Sequence, residues 1–188
     1  SILQPRVQSA PPPEGFTPFA RVQEGITGLD LYSHAVSDVY QDLFGEGIFV
    51  GKGLYHVESF HRTTAGRVPE NTLLSHDILE GICGRTALVS DVIVLEHYPE
   101  HVVSYLQRLH RWIRGDWQWL PWLLPRVPTP DGWRPNPFGL LDRWKIADNV
   151  RRSLLGPSLI ALAGLGWATG YNSPWIWTAL VAAMPGVP

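Results

Sequence analysis

Arginines and tryptophans are concentrated in residues 107–122, QRLHRWIRGDWQWLPW, which hold four of the chain's nine tryptophans and three arginines. Arg108 and Arg111 lie about one helical turn apart, with Trp112 beside them. A guanidinium can bind phosphate oxygens bidentately and keeps its charge, and an indole face can stack on a ring. The stretch therefore indicates a site that holds a diphosphate and a ring. An interfacial helix, with Trp and Arg at lipid headgroup level, has the same composition.

A second candidate for chemistry is Asp77, within RVPENTLLSHDILEG at residues 67–81. Ser75 is a preferred helix cap, so we expect a helix from His76 with Asp77 in its first turn. The helix N-terminus should favour the ionised carboxylate, and an ionised carboxylate on a rigid element can act as a general base. From these residues alone, an acid that merely caps the helix is the simpler interpretation. His76 and Glu80 share one helical face, but two residues are too few for a metal site.

A glycine-rich stretch, GEGIFVGKGLY, occupies residues 45–55. It is not a Walker A loop, because Glu46 stands where the first glycine belongs and no Ser or Thr follows Lys52. Nor is it G-x-G-x-x-G. The remaining interpretation is a strand at residues 48–50 followed by a tight loop through Gly51 and Gly53. This loop would line a sugar or nucleotide site.

These residues need elements to position them, and the apolar spacing predicts an alternation of strands and helices. We expect strands at residues 2–7 and 92–95, the second one buried, a loop at 9–30 and a helix at 30–44. A further helix should begin at Pro99 and Glu100 and carry residues 107–122. Prolines argue against regular structure at 123–138, and helical spacing resumes at 139–155. The apolar face of the arginine-bearing helix is predicted to contain Val103, Leu106, His110, Ile113, Trp117 and Leu120.

Length and composition limit the classes of function. The 188 residues suit one domain, or one domain with a membrane segment. A net charge of −2 gives no basic field for nucleic acid. Cys83 is the single cysteine, which excludes an internal disulfide. The start lacks the pattern of a signal peptide and the end follows an apolar run, so we expect a fragment of a longer protein.

The last part of the sequence is uncharged and mostly apolar after Arg152. Residues 154–170 are just long enough to span a bilayer, which takes roughly 17–25 residues, and residues 175–184 would begin a second span. Basic residues precede the first span, which predicts a cytoplasmic location for the preceding domain. A buried hairpin of a soluble core is the alternative. The basic residues are Arg143, Lys145, Arg151 and Arg152.

Three segments, in order, resemble one family. The pattern R-x-x-R-W at residues 108–112 is similar to the (Q/R)xxRW signature of processive family 2-like glycosyltransferases, with Arg108 where many members have Gln and Gln107 adjacent. The wider string, together with SDVYQDLFGEGIFVGKGLYHVESF at 37–60 and GRVPENTLLSHD at 66–77, resembles cyclic β-1,2-glucan synthases, the family 84 glycosyltransferases. The acidic motif that is often T-E-D in such enzymes reads Ser-His-Asp here.

The resemblance implies an α/β fold, the acceptor-side half of a GT-A-like domain at 1–135. An amphipathic interface helix at 136–153 and a transmembrane segment at 154–188 would follow, with the protein in the inner membrane and its catalytic part facing the cytoplasm. It also implies inverting transfer of glucose from UDP-glucose to a growing β-1,2-glucan. A cellulose- or hyaluronan-type transferase and a non-catalytic, membrane-anchored carbohydrate-binding module are the alternatives.

The resemblance also assigns roles to individual residues. Asp77 would be the base. Arg108, Arg111 and Gln107 would bind the donor diphosphate. On the acceptor side stand Trp112, Gly51, Gly53 and His76. The Mg²⁺ or Mn²⁺ expected in the intact enzyme would be held by a D-x-D motif, and the sequence contains none. The isolated chain is therefore expected to be inactive.

Overall fold

The computed structural model describes residues 2–10, 17–22, 33–34, 37–97, 99–170 and 173–183. The chain divides into two compact units, Ser1–Ile146 and Ala147–Pro188. The strands are β1 (Ile2–Ser9), β2 (Ser33–His34), β3 (Ser37–Asp38), β4 (Leu54–Tyr55), β5 (Thr86–Glu96), β6 (Arg126–Thr129) and β7 (Gly132–Pro135). The helices are α1 (Pro18–Val22), α2 (Val39–Phe44), α3 (Val57–Thr64), α4 (Asp77–Gly84), α5 (Val102–Gln118), α6 (Leu140–Ser153), α7 (Leu155–Thr169) and α8 (Pro174–Ala183). The predicted mixed α/β class is confirmed.

A three-stranded sheet with the order β4-β1-β5 supports the first unit. β1 pairs antiparallel with β4 and parallel with β5. A parallel pair needs a long crossover, and here α2, α3 and α4 all lie on the connection between β1 and β5. The predicted strands at 2–7 and 92–95 are confirmed as strands. Residues 92–95 are exposed by 37–59%, however, so their predicted burial is wrong. Among the described residues β5 pairs along its length with β1, and Thr86 at its start forms an isolated bridge with Gly47.

Helix α4 lies close to the sheet because its sequence, DILEGICG, contains two glycines three residues apart. A Cβ atom at Gly84 would lie 2.9 Å from Cδ1 of Ile2, and one at Gly81 would lie 3.0 Å from Cβ of Phe49. Larger residues would push the helix away from β1 and from the segment that leads into the glycine-rich loop. The two glycines therefore fix the distance between α4 and that loop.

The hydrophobic core lies next to α4 and the end of α5. The indole rings of Trp119 and Trp122 meet at a centroid distance of 4.9 Å, and the second ring belongs to a short 3-10 helix, Leu120–Leu123. Asn136 donates from its side-chain amide to the carbonyl of Trp122 over 2.6 Å, which ties the chain after β7 to this helix. The buried members of the core are Leu73, Leu79, Trp119, Trp122, Val127, Phe138 and Ile146.

The prediction that prolines would exclude regular structure at 123–138 is wrong. β6 and β7 form an antiparallel hairpin in which Pro128 faces Trp133 and Arg126 faces Pro135. A two-stranded hairpin consists of edges only, so a residue without an N–H is tolerated where that group would face away from the partner strand. Gly132 closes the turn with a φ of 108°, a conformation that suits glycine.

Two other predicted elements differ from the structure. Of the helix predicted at 30–44, only α2 forms, and Ser33–His34 pairs instead with Ser37–Asp38 as two short strands. Residues 30–32 and 35–36 lie outside the described residues. The strand predicted at 48–50 does not form, because the Val50 N–H binds the Gln4 side chain and strand pairing resumes at β4. The loop predicted at 9–30 contains a short helix, α1, among its described residues.

The second unit contains the end of α6 and the hairpin of α7 and α8. Gly166 allows the Trp177 ring to pack on α7, since any side chain at that position would overlap the ring. The helix predicted at 139–155 is confirmed as α6. Within the described residues, no helix combines the length and the apolar character that crossing a membrane requires. The membrane span at 154–170 and the boundaries at 135 and 153 stay predictions; Tyr171, Asn172 and the end of the predicted second span lie outside the described residues.

Candidate active site

Asp77 is the first residue of α4, so its predicted place in the first turn is confirmed. The cap position belongs to His76, whose side chain makes no capping hydrogen bond, and the expected Ser75 cap is therefore wrong. Ser75 serves a different contact, because its carbonyl accepts a hydrogen bond from Nε1 of Trp119 over 3.2 Å. The helix begins one residue later than predicted, at Asp77, and this bond to the core tryptophan holds the chain just before it.

The glycine-rich loop lies directly against the Asp77 carboxylate. Gly51 has a φ of 86°, and a Cβ atom there would lie 3.0 Å from Oδ1 of Asp77. The loop is held from behind by Gln4 of β1, which is 1% exposed and accepts a hydrogen bond from the Val50 N–H over 2.6 Å. A buried amide on the central strand thus places the backbone on which the carboxylate rests.

The pKa of the Asp77 carboxyl is raised above its usual range, although three basic side chains act to lower it. Burial is the largest cause, and Lys52, His76 and Arg111 oppose it in that order. The expected preference for the ionised form is therefore not the net result, because loss of water around the carboxylate has the larger effect on its pKa. A carboxylate with a raised pKa binds a proton more strongly, which suits a general base.

Glu80 lies one turn further along α4 and responds to the same surroundings. Burial raises the pKa of its carboxyl, the negative charge of Asp77 raises it further, and His76 lowers it. The charge of Asp77 thus reaches the next turn of α4, where Glu80 shares a helical face with His76 as the sequence indicated.

Contacts near the end of α5 set the position of this helix relative to Asp77. A Cβ atom at Gly115 would lie 3.0 Å from Cβ of Ser75, so the helix and the chain before α4 approach closely. The Gln118 side chain accepts a hydrogen bond from the Leu74 N–H over 2.7 Å. These contacts join α5 to residues 74–75, immediately before Asp77, and the charge of Arg111 reaches that carboxyl.

The predicted arginine–tryptophan pair forms on α5. The guanidinium carbon of Arg108 lies 5.8 Å from the centroid of the Trp112 ring, within range of a cation–π contact. Trp112 is 38% exposed, so part of its ring can still meet a ligand. Gln107 and Arg111 are exposed on the same helix. The helix begins at Val102 and not at Pro99.

The apolar face predicted for α5 is not the face that forms the core. Val103, Leu106 and Trp117 are exposed. The core instead uses Trp119, which the helical spacing placed on another face. Trp119 is the residue that caps α5 at its C-terminus, directly after Gln118, and its backbone is still in the helical region.

Two predicted acceptor-side residues have different surroundings. His76 adjoins Asp77 and is exposed. Gly53 lies against β1, where a Cβ atom would be 2.9 Å from both Cγ2 of Ile2 and the carbonyl oxygen of Leu3. Its lack of a side chain thus permits close approach of β4 to β1, while Gly51 is the glycine that contacts the carboxylate.

Lys52 was missed by the sequence reasoning. Its Nζ lies 2.6 Å from Oε2 of Glu96 at the end of β5, and its charge acts on Asp77. A lysine between two glycines of a candidate site loop was the available indication, but its acidic partner is 44 positions away in the sequence. In the part of the chain that the structure describes, no three His, Cys, Asp or Glu side chains are grouped so as to hold a metal ion.

Most of this chain is similar in sequence to a known protein. No protein-family model matches the chain. Over 168 residues, 89% of its length, the chain is 45% identical to the cyclic beta-(1,2)-glucan synthase NdvB of Rhizobium meliloti (strain 1021). The chain is related to a cyclic β-1,2-glucan synthase. The resemblance noted in the sequence is thereby confirmed. The chain covers 6% of that protein's length, so what the whole synthase does is carried to this chain only as a proposal.

Proposed function

We propose that the chain forms the acceptor side of a glycosyltransferase site that moves glucose from UDP-glucose, with inversion, onto a growing β-1,2-glucan. The observation that carries the proposal is the Asp77 carboxylate, seated on Gly51 and surrounded by positive charge, in a segment 45% identical to a cyclic beta-(1,2)-glucan synthase. An acid that only capped its helix would have no need of a glycine loop against its oxygens or of cations from two other segments.

The proposed reaction follows from the charges at the site. Asp77 takes the proton of an acceptor hydroxyl as that oxygen attacks the anomeric carbon of the donor glucose. The bond from that carbon to UDP breaks, and its electron pair leaves with the diphosphate. The anomeric carbon passes through an oxocarbenium-like state, as in glycoside hydrolysis. A base at this position contributes about 10²–10⁴-fold to the rate.

The residues of α5 serve the two substrates. Arg108 and Arg111, with Gln107, stabilise the negative charge that grows on the departing diphosphate, a contribution aimed at the transition state. Trp112 offers its exposed ring edge and face to the acceptor glucose. Gly51 and His76 line the acceptor beside the base, and Gly53 keeps the loop close to β1.

The Mg²⁺ or Mn²⁺ expected with a sugar nucleotide is not part of the proposed role of these residues. The described side chains do not form a group suited to such an ion. The ion would neutralise charge on the diphosphate when bound, and we assign its ligands to other parts of a complete synthase.

We also infer that the second unit contacts the cytoplasmic side of a bacterial inner membrane. α7 and α8 contain no charged residue, and their exposed apolar side chains support contact with a lipid bilayer. Lys145 contributes little to a basic flank, because it is 7% exposed and its Nζ lies 2.8 Å from Oε1 of Glu46. The exposed apolar side chains are Leu155, Ile160, Leu165, Trp167, Trp175, Ile176 and Leu180.

The experiment that tests the catalytic proposal uses a complete synthase that contains this segment. Purified enzyme is given radiolabelled UDP-glucose, and the linkage of the product is determined by NMR. We expect β-1,2-glucan, its synthesis lost on Asp77→Asn and kept on Asp131→Asn, a matched change of an exposed acid in the β6–β7 turn. A product of cellulose or hyaluronan type would contradict the assigned substrate class. Full synthesis by Asp77→Asn would favour a non-catalytic module.

A further inference from the structure

Lys52 is held in a defined place beside the candidate base. Its ammonium lies 2.6 Å from the Glu96 carboxylate, with side-chain exposures of 36% for Lys52 and 27% for Glu96. Ion pairs on open surfaces are usually weak, because water screens them and long side chains lose freedom. This pair is partly shielded and joins the glycine-rich loop to the end of β5, so it fixes the lysine better than an open pair would.

The glycine-rich loop lies against Asp77 at the residue that precedes Lys52. A Cβ atom added at Gly51 would lie 3.0 Å from Oδ1 of Asp77, and Lys52 is the next residue. Among the charges that act on the carboxyl, Lys52 is the first that opposes the effect of burial on its pKa, followed by His76 and Arg111. Glu80, one turn further along α4, carries charge opposite to that of Lys52, and the charge of Asp77 raises the pKa of the Glu80 carboxyl.

We propose that Lys52 is a positioning residue: anchored by Glu96, its ammonium keeps the Asp77 carboxylate ionised and in place to receive the proton of the acceptor hydroxyl. The inference rests on the proposed role of Asp77 as the base. The proton of the acceptor hydroxyl passes to Asp77. A lysine that instead binds the donor diphosphate would occupy the same loop, and the two roles differ in what they do to the pH profile.

The test measures kcat and KM against pH for Lys52→Met in a complete synthase containing this segment. Loss of a positive charge raises the pKa of a nearby carboxyl, so the acid limb of kcat should move to higher pH. Well below the midpoint, each pH unit of movement is a loss of about tenfold. On the alkaline side, where Asp77 is ionised in both proteins, the loss should be much smaller.

Matched variants separate this role from general damage. Lys52→Arg keeps the charge and should keep the wild-type acid limb. Arg114→Gln removes a charge from an exposed position on α5 that is not among those acting on Asp77, and its profile should not move. Lys52→Gln repeats the measurement if the methionine variant does not fold, as judged by thermal melting.

The results distinguish failure of this inference from failure of the proposed function. If Asp77→Asn abolishes synthesis while both Lys52→Met and Lys52→Gln leave the acid limb unmoved, the positioning role is refuted and the base stands. An unmoved limb with a raised KM for UDP-glucose would make Lys52 a diphosphate ligand. If Asp77→Asn retains full synthesis, the proposed function itself fails, whatever Lys52 does.

Discussion

Asp77→Asn gives the sharpest prediction, because the change keeps the shape of the side chain and removes its ability to accept a proton. The carboxylate lies against Gly51, where an added Cβ atom would be only 3.0 Å from Oδ1, and the isosteric amide fits the same space. A general base contributes about 10²–10⁴-fold. At about 1.36 kcal/mol per tenfold, the variant should raise the activation free energy by about 2.7–5.4 kcal/mol.

The same change should not reduce the stability of the fold at neutral pH. The pKa of the Asp77 carboxyl is raised in the folded state, chiefly by burial. A carboxyl of this kind contributes stability that is fully present below its unfolded pKa and is lost as pH rises through the folded pKa. At pH 7 the ionised form therefore opposes folding. We expect Asp77→Asn to unfold at the same or a higher temperature than wild type at pH 7, with the difference lost in acid.

The assay combines rate and stability. Incorporation of labelled glucose from UDP-glucose gives kcat and KM in a complete synthase, and thermal unfolding of the same protein is followed at pH 7 and in acid. Loss of rate together with retained stability and retained UDP-glucose binding fits a base. Near-wild-type synthesis would refute the assignment of Asp77, and a large loss of stability at pH 7 would show that the carboxylate serves the fold instead.

Three further predictions follow from particular contacts. Gly51→Ala should lower synthesis far more than Gly66→Ala, since both glycines have positive φ but only the first would place a Cβ atom against Asp77. Both variants share the backbone strain, which the melting temperature reports, so the difference in activity between them reports the contact with Asp77. Gln4→Leu should cost about 1–3 kcal/mol in chemical unfolding, because the part-buried Val50 N–H loses its acceptor, the buried Gln4 side chain. Residues 1–188 should float with liposomes, whereas a chain ending at Arg152 should not; equal flotation would contradict bilayer contact by α7 and α8.

The sequence was sufficient for elements whose local pattern is strong. β1, α5 and α6 appear close to where spacing predicted them, and the alternation of strand and helix indicated the α/β class. It failed where tertiary contacts override local preference. Prolines suggested irregular structure after Trp122, yet a two-stranded hairpin accepts them at its edges. Helical spacing near Leu31 is realised only from Val39 onwards, within the described residues.

The candidate site was only partly predictable for a related reason. Residue types pointed to Asp77, Arg111 and Gly51, because each has chemistry or backbone freedom of its own. Lys52 was missed, since its role depends on Glu96, a partner that no local pattern connects to it. Burial was misjudged as well. The spacing of apolar residues shows that one side of an element differs from the other, but it does not show whether anything packs there.

Some residues that set the geometry of the candidate site carry no reactive group. A search for motifs of reactive residues therefore does not find them. A glycine inside a helix costs roughly 1 kcal/mol relative to alanine, so Gly115 looks like a weakness of α5. In the fold, a side chain there would press on Ser75, two residues before Asp77. The same lack of a side chain that weakens the helix lets α5, which carries Arg111, approach the segment before Asp77. Misplacement of catalytic groups by about 1 Å can cost about 10²-fold in rate. The strength of the proposed site therefore depends on Gly115 as well as on the residues that meet the substrate.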